Sequence, residues 1–131
     1  MGKYKKFITK GISEPLSDVP FHGKASIKRR LMLDKKLIPK SDMHIAVHFV
    51  NPTKKMPQYS QLHKHNVDEI NLILSHGGKI KYEVQLEDEI YTVSSPATVF
   101  IPKGTRHRAQ VLSGKGIFVC IIFSSSYRSS K

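Results

Sequence analysis

The chain has 131 residues, of which 39% are hydrophobic and 24% are charged, which predicts one globular domain and excludes a wholly disordered chain. A single cysteine, Cys120, excludes an internal disulfide, and its apolar context GIFVCIIF predicts a buried, inert thiol in a reducing compartment. The opening MGKYKKFITKG lacks the apolar stretch of a signal peptide, and no later segment is long enough to span a bilayer, so we expect a cytoplasmic protein.

The net charge of +12 lies mainly in the first 40 residues, which hold eleven Lys and Arg against three Asp and Glu. Lys28, Arg29 and Arg30 form the tightest cluster. Such a field favours anionic partners in general, although a solvated basic surface is the simpler explanation. Nucleic-acid-binding proteins usually add a pattern of stacking aromatics or a recognition helix, and neither is evident here. Nucleic acid is therefore not expected as a partner.

Residues 1–40 are interpreted as a basic N-terminal arm that contains a short strand or helix at most. Across residues 1–26, Pro, Gly and Ser are scattered without a sustained period, which is typical of an extended segment. In the following stretch, IKRRLMLDKKLIP, the apolar residues Ile27, Leu31 and Leu37 weakly fit a helical stripe. Strand and helix both stay open for this stretch.

Beyond residue 40, strand patterns dominate the sequence. Short alternating or apolar runs occur at 44–49, 59–65, 69–75, 79–84, 89–93, 97–101, 107–112 and 116–124. Turn-forming residues such as Pro, Gly, Asn and Asp separate most of these runs. Short strands at spacings of about eight to twelve residues are typical of a β-sandwich or barrel. We expect the barrel at residues 41–124 and a flexible tail at residues 125–131.

The heptad HKHNVDE, residues 63–69, brings two histidines close to a carboxylate. On a strand, residues two apart point to the same side, so His63 and His65 would direct their imidazoles into one space. A bend after His65 would return the carboxylate of Glu69 toward both rings. Two imidazoles and a carboxylate on one face of an ion leave positions open for substrate. The heptad by itself fits a polar barrel mouth or an exposed turn as well.

A second motif, IPKGTRH at residues 101–107, supplies a possible partner. Pro102 cannot donate to a strand ladder and marks a strand end, while Gly104 permits a tight turn. His107 then opens a new strand. In an antiparallel barrel this strand would bring His107 beside the two histidines of the heptad.

Together, HKHNVDE and PKGTRH resemble the two conserved motifs of the cupin superfamily, HxHxxxE and PxGxxH. The resemblance implies an all-β protein, a double-stranded β-helix or jelly-roll barrel with an extended N-terminal arm. It also implies one metal ion held by His63, His65, Glu69 and His107. Many cupins pair, and the arm would cover an open sheet edge, so we expect a homodimer.

The resemblance covers about residues 42–123 and leaves the basic arm unexplained. Glycines 77 and 78 follow the heptad later than is usual in the family, and Val111 stands where Asn is frequent. These departures leave the particular enzyme family open, but they affect none of the four implied ligands. Imidazole and carboxylate suit Fe, Mn, Ni, Cu and Zn alike, so the divalent first-row ion is not identified.

Five further side chains are candidates for the pocket or for contacts behind the ligands. They are Tyr59, Gln61, His48, Tyr82 and Arg106. The two-residue period of a strand places Tyr59 and Gln61 on the same face as the heptad histidines. His48 fits either a structural role or a position in the pocket. Core packing is the plainer reading for Tyr82. Arg106 would grip a carboxylate or phosphate if it reached the barrel mouth, and is otherwise a solvated arginine.

Three functions fit these patterns. Four protein ligands on an octahedral ion leave two adjacent positions, which favours a metalloenzyme, an oxygenase or an isomerase or lyase, acting on a small oxygenated organic acid or enol. The second is a non-enzymatic cupin that binds a sugar, acid or anion, because fold does not dictate function. The third is a structural protein in which the metal only stabilises the fold. Neither the substrate nor a catalytic residue is assigned by the sequence.

Overall fold

The computed structural model describes residues 2–19, 21–22, 27–51 and 58–131. Their strands are β1 (Ile12–Ser13), β2 (Lys28–Leu33), β3 (His44–Val50), β4 (Lys64–His65), β5 (Glu69–Leu74), β6 (Ile80–Leu86), β7 (Glu89–Ser94), β8 (Ala97–Ile101), β9 (His107–Gly114), β10 (Gly116–Ile122) and β11 (Ser129–Ser130). Within this described part, the helical elements are two 3-10 turns, Lys5–Phe7 and Leu16–Asp18. None of its helices has the length and apolar character needed to cross a membrane. The predicted all-β class is confirmed.

The strands form antiparallel sheets in which neighbours are often distant in sequence. One sheet has the order β1-β2-β3-β10-β5-β8, a second has the order β7-β6-β9, and β4 pairs with β11. The two larger sheets pack face to face: Tyr82 of β6 in one sheet stacks on Phe118 of β10 in the other, with ring centroids 4.8 Å apart. Two antiparallel sheets connected by such crossovers form the jelly roll that the motifs implied.

An apolar core fills one end of this roll. Ile73 of β5 and Ile80 of β6 are fully buried, and Tyr82, Val84, Val111 and Phe118 pack around them. Burying each side chain of this size stabilises the fold by roughly 1.5–3 kcal/mol. Ile73 lies four positions beyond Glu69 along β5, so the polar residues of the heptad occupy the other end of the roll.

Strand β3 turns its polar face toward the interior. His44, Ala46 and His48 are buried, whereas Phe49 is 46% exposed on the outer face of the six-stranded sheet. The predicted alternation is confirmed, and the structure decides which face is inside. This orientation makes the two histidines available to the interior of the roll.

Both ends of the chain join the fold. The stretch that left strand and helix open is β2, which ends where the Asp34 carboxylate accepts hydrogen bonds from the backbone N–H groups of Lys36 and Leu37. The tail, which we expected to be flexible, contains β11, and its Ser129 pairs with His65 of β4. The sequence SSSYRSSK did not predict this pairing, because a strand of two residues is too short to show a hydrophobic period, and its partner β4 is equally short.

Gly114, at the end of β9, has a backbone conformation that favours glycine. Its φ is +95°, and a Cβ there would lie 2.1 Å from the Lys79 carbonyl oxygen. We therefore expect Gly114→Ala to lower the free energy of unfolding by about 2 kcal/mol or more, because the junction of β6 and β9 has to shift. Gly78→Ala is the matched control, since the nearest atom to its added Cβ is 3.9 Å away. Urea unfolding measures both variants, and equal losses of stability would contradict the expectation.

Candidate metal centre

A short backbone pairing joins the two histidine motifs. His63 and His107 form an antiparallel bridge in which each N–H donates to the other residue's carbonyl, with N–O distances of 3.1 Å and 2.7 Å. His65 follows on β4, and a bend leads to Glu69 at the start of β5. All four side chains are buried. The structure thus brings together the four residues that the resemblance implied as ligands.

The three imidazoles lie close together, and the Glu69 carboxylate lies beside two of them. Ring nitrogens of the three histidines lie within 4.8 Å of one another. Glu69 Oε1 is 3.1 Å from His65 Nε2 and 3.3 Å from His107 Nε2. Two ligands at right angles on a first-row ion, each bonded at about 2.1 Å, are about 3 Å apart. The carboxylate and these two imidazoles therefore have the spacing of neighbouring ligands of one ion.

Each ligand imidazole is held through its other nitrogen. His63 Nδ1 is 2.6 Å from the Gln61 carbonyl oxygen, and His107 Nδ1 is 2.9 Å from that of Thr105. Since a carbonyl only accepts, both Nδ1 atoms carry the proton, and both Nε2 atoms are free to bind a cation. His65 Nδ1 is 2.8 Å from the Ser129 hydroxyl of the tail. Such contacts fix ring orientation in metal sites.

The Glu69 carboxylate is held from behind as well. Asn71 Nδ2 donates to Glu69 Oε2 at 2.7 Å, and the Cys120 thiol lies 3.4 Å from the same oxygen. Burial raises the pKa of Cys120, with the charge of Glu69 as a second cause, so the thiol stays protonated and donates. Cys120 was expected to be buried and inert. It is partly buried, and its thiol contacts a candidate ligand, Glu69.

Two buried atoms of these side chains have no hydrogen-bond partner among the described residues: Glu69 Oε1 and His107 Nε2. A buried polar atom without a partner costs roughly 1–3 kcal/mol, and more when it is charged. A divalent cation beside them would satisfy both atoms. Three imidazoles and one carboxylate are also a donor set that first-row ions accept. The residues present therefore fit a metal ion.

The charges of the ligands are coupled. Burial opposes ionisation of Glu69, but His107 and His65 outweigh it and hold the pKa of Glu69 well below its usual range. Burial would lower the pKa of His107, but the Glu69 carboxylate raises it. Burial lowers the pKa of His63 to about 4. The ionised carboxylate thus attracts a positive charge to the point between the rings, and a cation there competes with a proton on His107.

The loops of the two motifs are fastened to each other. Gly104 N–H donates to the His65 carbonyl at 2.8 Å, and Lys103 N–H donates to the Asp68 carboxylate at 2.8 Å. Gly104 has a φ of +79°, which glycine adopts without a steric cost. The predicted tight turn is therefore present, and it supports the heptad directly.

The ligands face a cavity of about 60 Å³. Besides β-roll residues, both ends of the chain line it: Val19, His22 and Arg29 from the arm, and Tyr127 and Ser129 from the tail. The arm also contacts a ligand, because the Phe21 ring stacks on His63 with centroids 5.3 Å apart. The basic arm, which the resemblance left unexplained, thus supplies part of the cavity wall.

The five candidate pocket residues have different positions. His48 and Tyr59 line the cavity, whereas Gln61 holds His63 through its backbone carbonyl. Tyr82 is 1% exposed and stacks on Phe118 within the apolar core. Arg106 is not among the described residues that line the cavity; its half-exposed side chain pairs with Glu87.

Sequence reasoning missed several residues that shape the site. Asn71 lies two positions after Glu69, on the same face of β5, so strand period could have identified it. Ser129, Tyr127 and Arg29 carry no such signal, because their place depends on how distant strands align.

Comparisons with known proteins agree with the fold. No family model matches the sequence, and no curated protein matches it at a significant level. Among solved structures, a predicted oxalate decarboxylase from Thermotoga maritima is similar with a TM-score of 0.65 and 17% identity, over 88% of this chain and 94% of that one. A cupin 2 domain-containing protein from Halorhodospira halophila gives 0.63 and 16%, over 80% and 69%. A polyketide cyclase from Streptomyces resistomycificus gives 0.60 and 18%, over 93% and 78%. At these identities the likeness shows the fold alone.

Removing the tail hydroxyl should weaken metal binding. We expect Ser129→Ala to lower the affinity for zinc by roughly 10–100-fold, because His65 loses the contact that orients its ring. Ser130→Ala, a change in the exposed neighbour, is the matched control. Competition with a chromophoric chelator measures both affinities. Equal values for the two variants would show that the Ser129 contact does not support the site.

Acid should destabilise the metal-free protein through the inward-facing histidines. Burial, followed by the charge of Arg29, lowers the pKa of His44 to about 4 and that of His48 to about 3. An unfolded chain protonates these rings near pH 6.5, so it binds more protons than the folded state below that pH. Stability is therefore present above about pH 6.5 and is lost as the pH falls toward 4. Urea unfolding at several pH values should show a smaller loss for His48→Gln than for wild type; parallel curves would contradict this.

Proposed function

We propose that this chain, which has the cupin fold, binds one divalent first-row metal ion through His63, His65, Glu69 and His107 and is a metalloenzyme. The observation that carries the proposal is the cluster of three buried imidazoles, two of which lie beside Glu69 Oε1, an atom with no hydrogen-bond partner among the described residues. The ion is Fe, Mn, Ni, Cu or Zn, since the donor set does not discriminate among them. When bound, it would supply a Lewis acid and, for a redox-active ion, an electron-transfer centre.

The cavity supports a small ligand. One water needs roughly 10–15 Å³ of such a volume, so about 60 Å³ is space for about four to six water-sized groups, which suits an ion with one compact ligand. Its lining combines histidines, Arg29 and the phenol of Tyr127, which suits an oxygen-rich molecule. We therefore propose a small oxygenated organic acid or enol as substrate, and an oxygenase or an isomerase or lyase as the reaction class.

The protein's own residues would contribute binding and water exclusion. Phe21 covers His63, and the Tyr127 ring packs edge-on against His65 with centroids 5.0 Å apart. Apolar cover over the ligands limits the access of bulk water and strengthens electrostatic interactions inside the cavity.

The alternative is a non-enzymatic cupin that holds a small sugar, acid or anion in the same cavity. The observation that favours it concerns three of the described lining residues: burial keeps His44 and His48 neutral, and it raises the pKa of Tyr127 to about 12. The homodimer also stays a prediction, which light scattering of the purified protein would test.

Metal analysis combined with assays tests the proposed enzyme. We expect about one ion per chain in the purified protein, and turnover of at least one substrate class among catechols, 1,3-diketones and 2-oxo acids, followed by oxygen uptake and by product analysis. Glu69→Gln should lose both the ion and the activity, because it removes the ionised ligand. Glu83→Gln, which changes a carboxylate paired with Arg108 outside the ligand set, is the control.

Two outcomes would count against the proposal. A wild-type protein that binds none of the five ions contradicts the metal site itself. Full metal occupancy with no turnover in any assay supports the binding-protein alternative instead.

A further inference from the structure

We propose that the cavity has an anion-binding end, formed by Arg29 and His44, which holds a carboxylate of the ligand while the metal end binds another oxygen of the same molecule. The proposal rests on the metal site proposed above and deepens it by naming the ligand class. The ligand would be a small acid with at least one carboxylate separate from the group that binds the ion.

Arg29 presents a charged group to the interior of the roll. It lies on β2 opposite His48 of β3, and its side chain is only 4% exposed. One terminal nitrogen, NH1, pairs with the Glu14 carboxylate, and the other, NH2, is 3.5 Å from His44 Nε2. Arg29 and His44 both line the cavity, whereas Glu14 is not among the described lining residues. Glu14 therefore pairs with the guanidinium on the side of a neighbouring cavity, which Glu14, Arg29 and His44 line together.

The register of the six-stranded sheet fixes the distance between the two ends. His44 and Glu69 both pair with Ile122 of β10, from opposite sides. Neighbouring strands are about 4.8 Å apart, so the two Cα atoms lie roughly 10 Å apart in one row. Both side chains point inward from that row. Arg29 is paired with His48 rather than with His44, and its side chain reaches along the strands to place NH2 3.5 Å from His44 Nε2.

A single aromatic ring covers both ends. Tyr127 makes edge-on ring contacts with His44 and His65, with centroids 5.1 Å and 5.0 Å apart. The Tyr127 ring thus contacts His65, a candidate metal ligand, on one side and His44, which contacts Arg29, on the other. The cavity beneath the ring is continuous between the two ends, which is the space that one small ligand would occupy.

Charge favours an anion in this space. Glu69 is the only carboxylate among the described residues that line the cavity. The other lining arginine, Arg108, donates to Glu83 at 2.6 Å and to Gln85 at 2.9 Å, whereas Arg29 has one carboxylate partner, Glu14, and a neutral one, His44. Glu14 pairs with Arg29 from the neighbouring cavity, and a divalent ion would exceed the single negative charge of Glu69. The cavity therefore attracts negative charge, and a guanidinium is the group best suited to hold a carboxylate.

A purely structural role for Arg29 makes a different prediction. If the guanidinium only anchored the arm through Glu14, replacing it would lower stability without changing which ligand the cavity prefers. The preference between an acid and its amide separates the two roles, because the two molecules have nearly the same shape and differ in charge.

The experiment compares malonate with its monoamide, malonamate, by calorimetry on zinc-loaded protein. Wild type should bind malonate more tightly, and Arg29→Met should reduce that preference by about 10-fold or more, since a charged hydrogen bond is lost. Zinc affinity should stay within about threefold of wild type, because Arg29 is not one of the four residues proposed to bind the metal. Arg106→Met removes an equal charge from outside the cavity and should leave the preference unchanged.

Further variants guard against misfolding. Arg29→Met leaves Glu14 without its partner, so the double variant Glu14→Gln/Arg29→Met is measured beside it, and thermal unfolding checks both. Arg29→Lys keeps the charge but not the planar fork, and an intermediate preference is expected.

The outcomes separate this inference from the function on which it rests. Failure of wild type to bind zinc overturns both. Tight zinc binding, with no malonate binding or with an unchanged preference in the folded Arg29 variants, overturns the anion-binding end alone.

Discussion

Glu69 carries a negative charge into the interior of the β-roll, where an uncompensated charge is costly, and the surrounding structure is arranged to compensate it. One oxygen accepts from Asn71 and the Cys120 thiol, and the other faces His65 and His107. Three separate chain segments are needed for this arrangement. The reciprocal backbone bonds between His63 and His107 hold two of those segments together, so a site dependent on one carboxylate also requires the roll to close around it.

The candidate ligands could be predicted from the sequence because their signals are local. His63 and His65 share a face by strand period, and the Pro and Gly of the second motif mark the turn that precedes His107. Strands β3 to β10 were predicted for the same reason, whereas β1, β2 and β11 were not. Strand β3 marks the limit of this reasoning: alternation showed two faces, but a hydrophobic inner face would have been the usual choice, and the histidine face is the one inside. Only the demand of a polar cavity explains that choice.

Residues from the two ends of the chain could not be placed in this way. Lys28, Arg29 and Arg30 look alike as a basic cluster, yet the pleat of β2 gives them three different environments. Lys28 is exposed, Arg29 points into the cavity, and Arg30 donates to the carbonyls of Lys10 and Gly11 beside β1. Net charge therefore described the arm poorly. The three residues of its tightest cluster have different roles: one is on the surface, one lines the cavity and one holds β1. The register of β2 with β3 determines which residue has which role.

The contacts of the tail would couple its ordering to metal binding. Near the site, Asn66 N–H donates to the Arg128 carbonyl, Arg128 N–H donates to Asn66 Oδ1, and Ser129 contacts His65 Nδ1. A cation on Nε2 of the same ring favours a proton on Nδ1, which strengthens donation to the Ser129 hydroxyl. Binding of the proposed ion and ordering of the tail would then stabilise each other by the same free energy, since such coupling is reciprocal. Tyr127 lies on the same short segment, so its ring would be held most firmly over the cavity when the proposed ion is bound.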